Sequence, residues 1–112
     1  MASDTHNLSP IYVPSKGRAT TSKTIPQLPE EEEWSVVLEP QDVERYALPE
    51  KRVIVLPEND RGLAYARQFI LAHARSKKLG WFWMLDDDIS GFYRVVHGRN
   101  QRISLFEALS SA

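Results

Sequence analysis

Apolar residues fall along this chain in short runs separated by polar, often proline-bearing connections. The runs are Ile11-Tyr12-Val13, Trp34-Ser35-Val36-Val37-Leu38, Arg52-Val53-Ile54-Val55-Leu56 and Trp81-Phe82-Trp83-Met84-Leu85. Each is strand-sized and rich in β-branched or aromatic side chains. A run that is apolar at nearly every position, rather than at every second one, predicts a strand covered on both faces, as in a parallel sheet. Between the third and fourth runs, Leu63, Ala66, Ile70 and Ala74 recur at helical spacing. They predict a helix from Leu63 to about Lys78 with one buried stripe. Asn59 or Asp60 is placed to cap its start, and Gly80 to end it. Pro40 suits the first turn of a shorter helix over about Gln41 to Leu48, stopped by Pro49, and a further short helix fits Ser22–Gln27. Alternating strands and helices predict an α/β domain built on a three-layer, mostly parallel sheet.

Past the fourth run, Phe92–His97 reads as another strand and His97–Asn100 as a turn. Ser104 with Glu107 fits a capping box that announces a further helix. Residues 1–9 are polar and read as a disordered leader, which leaves 10–112 as the folded domain. The four consecutive glutamates Glu30–Glu33 read as a solvated face with no chemistry of their own.

Composition narrows the function classes without choosing one. The chain has 112 residues, 42% hydrophobic and 26% charged, which suits one soluble domain with a single modest core. A net charge of −1 gives no whole-chain reason to expect strong binding to nucleic acid or to an anionic membrane. With no cysteine there is neither a disulfide framework nor a thiolate metal site. No stretch approaches the roughly 20 apolar residues of a membrane span, and no export signal is visible.

Candidate chemistry gathers where the fourth run meets Asp86-Asp87-Asp88. Ligands of open α/β sheets bind at the carboxyl ends of the strands, and three adjoining acids repel one another unless a cation or donors neutralise them. If the strand continues, Asp86 and Asp88 project to one side and Asp87 to the other. Two hard oxygen ligands would then face one divalent cation, Mg²⁺ or Mn²⁺; the plainer reading is a strand end whose acids cap a turn or pair with Lys and Arg. After the first run, Ser15-Lys16-Gly17-Arg18 offers donors for a phosphate or nucleotide, although it lacks the spaced glycines of a Walker loop. Arg67 sits beside the apolar stripe of the long helix, where a guanidinium needs an anionic partner or a route to water.

Several segments together resemble a known family. Ile11-Tyr12-Val13-Pro14-Ser15-Lys16-Gly17-Arg18 is followed by Val36-Val37-Leu38-Glu39-Pro40 with Tyr46. Val55-Leu56-Pro57-Glu58-Asn59, Arg61-Gly62 and Ala66-Arg67 come next, and then Trp83-Met84-Leu85-Asp86-Asp87-Asp88-Ile89 with Phe92-Tyr93. The ordered set, spanning about residues 10–109, resembles GT-A fold glycosyltransferases of the phage type associated with base-hydroxylating dioxygenases, a group thought to glycosylate hydroxylated DNA bases. The resemblance implies a GT-A-like domain that binds a nucleoside-diphosphate sugar and transfers the sugar to a hydroxyl of a modified DNA base or of a protein. It implies that Pro14, Ser15, Arg18, Arg67 and Asp86 line the donor site. Asp86 and Asp88 would form the Asp-x-Asp that holds Mn²⁺ or Mg²⁺. A phage-encoded member would act in the cytoplasm of the host cell.

The same resemblance places acceptor elements and a catalytic base after the Asp-x-Asp strand, where little of this chain remains. The expectation is therefore a donor-binding part, truncated after that strand, which binds donor weakly and transfers nothing by itself; no catalytic base is assigned. Three other readings compete. A sugar nucleotidyltransferase shares the sheet and the acid-bound metal but calls for a glycine-rich loop where this chain has only Gly17. A non-catalytic remnant binding nucleotide or a protein partner fits the missing acceptor elements. A DNA-binding module is disfavoured by the charge balance.

Overall fold

The computed structural model describes residues 10–89, 92–96 and 99–103. Four strands, β1 (Ile11–Pro14), β2 (Trp34–Leu38), β3 (Val53–Val55) and β4 (Trp83–Met84), form one sheet in the order β3-β2-β1-β4. Every pairing in it is parallel, and Ile11 stands opposite Trp34 on one side and Trp83 on the other. The α/β expectation holds, and this sheet is compatible with a GT-A-like domain. Beyond it, β5 (Phe92–Val96) and β6 (Arg99–Ile103) pair antiparallel as a separate two-stranded sheet. Arg99 and Asn100, expected in a turn, are thus the first residues of β6. The expected leader at 1–9, His97, and the capping box at Ser104 and Glu107 lie outside the described residues.

The two faces of the sheet carry separate cores, as alternation along a strand requires. Ile11, Val13, Trp34, Val36 and Leu38 pack on one side with Leu28 and Tyr46. Tyr12 and Val37 pack on the other with Leu56 and with Ala66, Ile70 and Ala74 of α2 (Leu63–Ser76). Covering both faces buries almost every side chain of β1 and β2, and each large aliphatic one contributes roughly 1.5–3 kcal/mol. Among the described residues no helix is long and apolar enough to cross a membrane.

Several local expectations shift for identifiable reasons. The long helix is capped by neither Asn59 nor Asp60; its first turn starts from Gly62 at φ 88°, a conformation that favours glycine. Leu63 is 50% exposed, so the buried stripe begins at Ala66. Lys78, in the left-handed conformation, turns the chain before Gly80 is reached. The shorter helix is a 3₁₀ turn, Pro40–Asp42, running into α1 (Val43–Tyr46), and left-handed Ala47 ends it ahead of Pro49. The Ser22–Gln27 helix reduces to a 3₁₀ turn at Ile25–Gln27. Glu32, expected in a solvated run, is buried. Its backbone belongs to a clamp around Arg52, whose guanidinium donates to the carbonyls of Glu30, Glu32 and Trp34 and stacks 4.1 Å over the Trp34 ring.

Candidate functional site at the carboxyl edge of the sheet

β1 and β2 part where they end. The Ser15 amide still donates to the Val37 carbonyl at 3.1 Å, and the chain then bends away through Gly17 at φ 64°. The resulting cleft has a volume of about 230 Å³. Val37, Leu56, Leu63 and Ala66 form its apolar wall, and Ser15, Lys16, Arg18, Glu39 and Asp87 its polar one. Pro14 and Gly62 complete the lining. Sites for drug-sized ligands span roughly 300–1,000 Å³, so this cleft can enclose part of a nucleotide-sugar rather than all of it.

The acidic stretch does not continue its strand. β4 pairs with β1 only at Trp83 and Met84, and the last bond of this edge runs from the Leu85 amide to the Tyr12 carbonyl. Trp81, expected inside the strand, is 82% exposed. With no bond from β1 to this edge beyond Tyr12, no strand remains beside 86–88, and a strap at Ser22–Gln27 takes over. The Thr24 hydroxyl donates to the Asp86 carbonyl and accepts from the Ile89 amide. The Asp87 carbonyl accepts from the Ser22 hydroxyl and from the amides of Lys23 and Thr24. Gln27 donates to the Ile89 carbonyl. The turn is therefore fixed by its backbone, which leaves its carboxylates available for other partners.

Those carboxylates are distributed differently from strand alternation. Asp87, expected to point away, is the one that faces the cleft, its side chain 13% exposed and its Oδ2 2.6 Å from Ser15 Oγ. Asp86 is 68% exposed and lies 3.9 Å from the Arg67 guanidinium, itself 52% exposed. Asp88 is also exposed. Arg67 thus has both an anionic partner and access to water, and no longer conflicts with its helix. Arg67 and Asp86 each stand one residue along the chain from a cleft-lining position, Ala66 and Asp87. Of the expected donor residues, Pro14, Ser15 and Arg18 meet in the cleft, and Arg67 and Asp86 pair at its rim.

A chain of hydroxyls joins the two loops. Tyr46 OH accepts from the Arg18 amide at 2.9 Å and lies 2.5 Å from Ser15 Oγ. Each hydroxyl has one proton. Ser15 gives its proton to the Asp87 carboxylate, so Tyr46 must give its own to Ser15. Burial pushes the Tyr46 phenol above its ordinary pKa, although its bonds with Ser15 and the Arg18 amide pull the other way. Opposite this relay, Lys16 Nζ lies 2.6 Å from Asp60 and 3.6 Å from buried Glu39. The bond to Asp60 raises the Lys16 pKa and holds the Asp60 carboxyl below its usual value. Gln41 ties the same corner together by donating to Glu39, Asp60 and Asn59, while buried Asp42 accepts from the Gly17 amide at 3.0 Å.

Glu39, Asp42, Asp60 and Asp87 were not among the expected donor or metal residues, and Glu39, Tyr46 and Asp87 entered only as parts of motifs. Glu39 had a usable signal, since it follows the buried second run just as Asp86 follows the fourth. Asp42 and Asp60 had none, because they reach the loop after β1 from turns 25 and 44 residues away along the chain. Asp87 stood in the acidic triplet but was expected to point away. Among the described residues no three His, Asp or Glu side chains form a ready metal cage. The exposed hard oxygens of Asp86 and Asp88 fit the other way of holding Mg²⁺ or Mn²⁺, in which one or two carboxylates act together with substrate phosphates.

A family model described as TET-Associated Glycosyltransferase matches residues 9–110. Neither the curated proteins nor the solved structures contain a match.

Proposed function

The chain belongs to the TET-associated glycosyltransferase family, and from that premise we propose that the carboxyl-edge cleft binds a nucleoside-diphosphate sugar together with a divalent cation. The proposed acceptor is a hydroxyl on a modified DNA base. The observation that carries this reading is the meeting of Pro14, Ser15, Lys16 and Arg18 with Asp87 in one cleft at the ends of parallel strands. The apolar wall of Val37, Leu56 and Leu63 suits the face of a nucleobase or ribose, and buried Glu39 offers an acceptor for a hydroxyl or ring N–H.

Charge supports the metal requirement. The ion pairs around the cleft engage three cations, Lys16, Arg18 and Arg67, and four carboxylates, Glu39, Asp60, Asp86 and Asp87. A diphosphate entering that balance needs additional positive charge. A divalent cation supplies it and stabilises the leaving nucleoside diphosphate; Asp86 and Asp88 are the side chains to hold it. In the transfer, the acceptor oxygen bonds to the anomeric carbon as the bond from that carbon to the phosphate oxygen breaks. The acceptor loses its proton, and nucleoside diphosphate departs. In this reading Arg18 and Arg67 steady the phosphate oxygens. The nucleotidyltransferase reading loses ground to the family assignment and to a loop with one glycine.

Calorimetric titration of UDP-, GDP- and dTDP-sugars, with Mn²⁺ and with EDTA, tests the donor site. Affinity for one donor is expected to fall about tenfold or more in EDTA and in Asp86→Ala. Equal binding in all conditions removes the metal role. A mass gain of one sugar on 5-hydroxymethylated duplex, absent on unmodified duplex, tests the acceptor.

A further inference from the structure

Tyr46 is a buried phenol whose ring belongs to the core beneath β1 and β2 and whose hydroxyl contacts Ser15 and the Arg18 amide from behind the polar wall of the cleft. A phenylalanine would fill the same core volume. The hydroxyl makes the difference, since it joins two loops that are far apart in sequence. It holds the Ser15–Arg18 loop by accepting the Arg18 amide, and it fixes the Ser15 hydroxyl by donating to it. Because Ser15 must then send its only proton to Asp87 Oδ2, the orientation of the cleft-facing carboxylate depends on Tyr46. The Asp87 backbone is independently fixed by the Ser22–Thr24 strap, so the relay governs the side chain rather than the turn.

We propose that Tyr46 is a positioning residue for glycosyl transfer, acting through Ser15 to hold Asp87 and the Arg18 loop in donor-binding geometry. The proposal rests on the reading of the cleft as the donor site. Three observations favour it over a purely structural role. The relay runs at 2.5 and 2.6 Å between its hydroxyls and the carboxylate, the short range expected when an ionised acceptor terminates a chain of donors. It ends on the one carboxylate of the acidic turn that lines the cleft. Both groups it organises, Ser15 and Arg18, line that cleft as well.

The test is a double-mutant cycle with two readouts, using the full chain. Tyr46→Phe, Ser15→Ala and the double variant are titrated with UDP and GDP in Mn²⁺, and hydrogen exchange is followed at the Arg18 amide and at the Val37 amide in the core. Each single variant is expected to weaken nucleoside-diphosphate binding about tenfold. The double variant should lose little more than either single one, because both interrupt the same relay. Arg18 exchange should accelerate in Tyr46→Phe while Val37 stays protected. Unchanged affinity in Tyr46→Phe, or losses that add in the double variant, overturn the proposal. If the parent chain binds neither nucleotide, the donor-site reading falls on its own. Arg18 exchange then decides whether Tyr46 positions this loop, and an unchanged rate sinks that as well.

Discussion

Two acid–partner pairs flank the cleft, made of similar groups in opposite surroundings. On the inner side, Asp87 is nearly buried and receives a 2.6 Å bond from Ser15, which Tyr46 supports in turn. At the rim, Asp86 and Arg67 face each other at 3.9 Å with more than half of each side chain in water. The inner pair has exchanged water for protein partners, so removing any member leaves a buried polar group unpaired. The rim pair has surrendered little hydration and is worth about 0–1 kcal/mol, which leaves both groups free to change partners when a phosphate or cation arrives. Neighbouring carboxylates of one triplet are thus divided by burial into one that holds the site and one that can hold a ligand.

The sharpest way to break this comparison is Asp87→Ala. It takes away the carboxylate that accepts the Ser15 proton, leaving Ser15 with Tyr46 alone, and is expected to cost about 1–3 kcal/mol in urea unfolding, with donor affinity falling too. An unchanged unfolding midpoint would place Asp87 with the rim group instead.

Alkaline titration should reach the phenol behind the inner pair and leave the rim pair untouched. The Tyr46 and Tyr12 phenols both lie above their ordinary pKa of 10.0, chiefly because burial disfavours the phenolate. A group raised on folding lends stability that is fully present below its unfolded pKa and is lost as pH rises through the folded value. Stability from these phenols should therefore hold up to about pH 10 and decline above it, with a shallower decline in Tyr46→Phe. Equal slopes in the parent and the variant would mean that Tyr46 titrates as if exposed.

The smallest effect on the fold is expected at the rim. Arg67→Met keeps the apolar stem and removes the charge, so stability should stay within about 0.5 kcal/mol. Nucleotide-sugar affinity should nonetheless drop severalfold if Arg67 steadies phosphate. A collapse in stability with affinity intact would reverse the roles given to the two pairs.

Much of the fold was legible because it depends on patterns local to the chain. The runs at 11–13 and 34–38 could satisfy their apolar side chains only between two covering layers, and the spacing of Ala66, Ile70 and Ala74 supplied one of those layers. The run at 53–55, at the sheet edge, is only half-covered, with Val55 exposed. The same locality placed chemistry at the carboxyl ends of the strands, and Pro14, Ser15 and Arg18 do meet there. Strand alternation, however, predicted the wrong orientation for Asp87. That rule applies only while a neighbouring strand pairs with the chain, and β1 leaves β4 after Tyr12. From that point the acidic turn answers to Ser22, Thr24 and Gln27, more than 60 residues upstream. Which carboxylate enters the cleft, and which tyrosine beneath the sheet is linked to it through Ser15, were decided by hydrogen bonds that exist only after the sheet has assembled. Residue spacing along one strand carries no record of such distant partners.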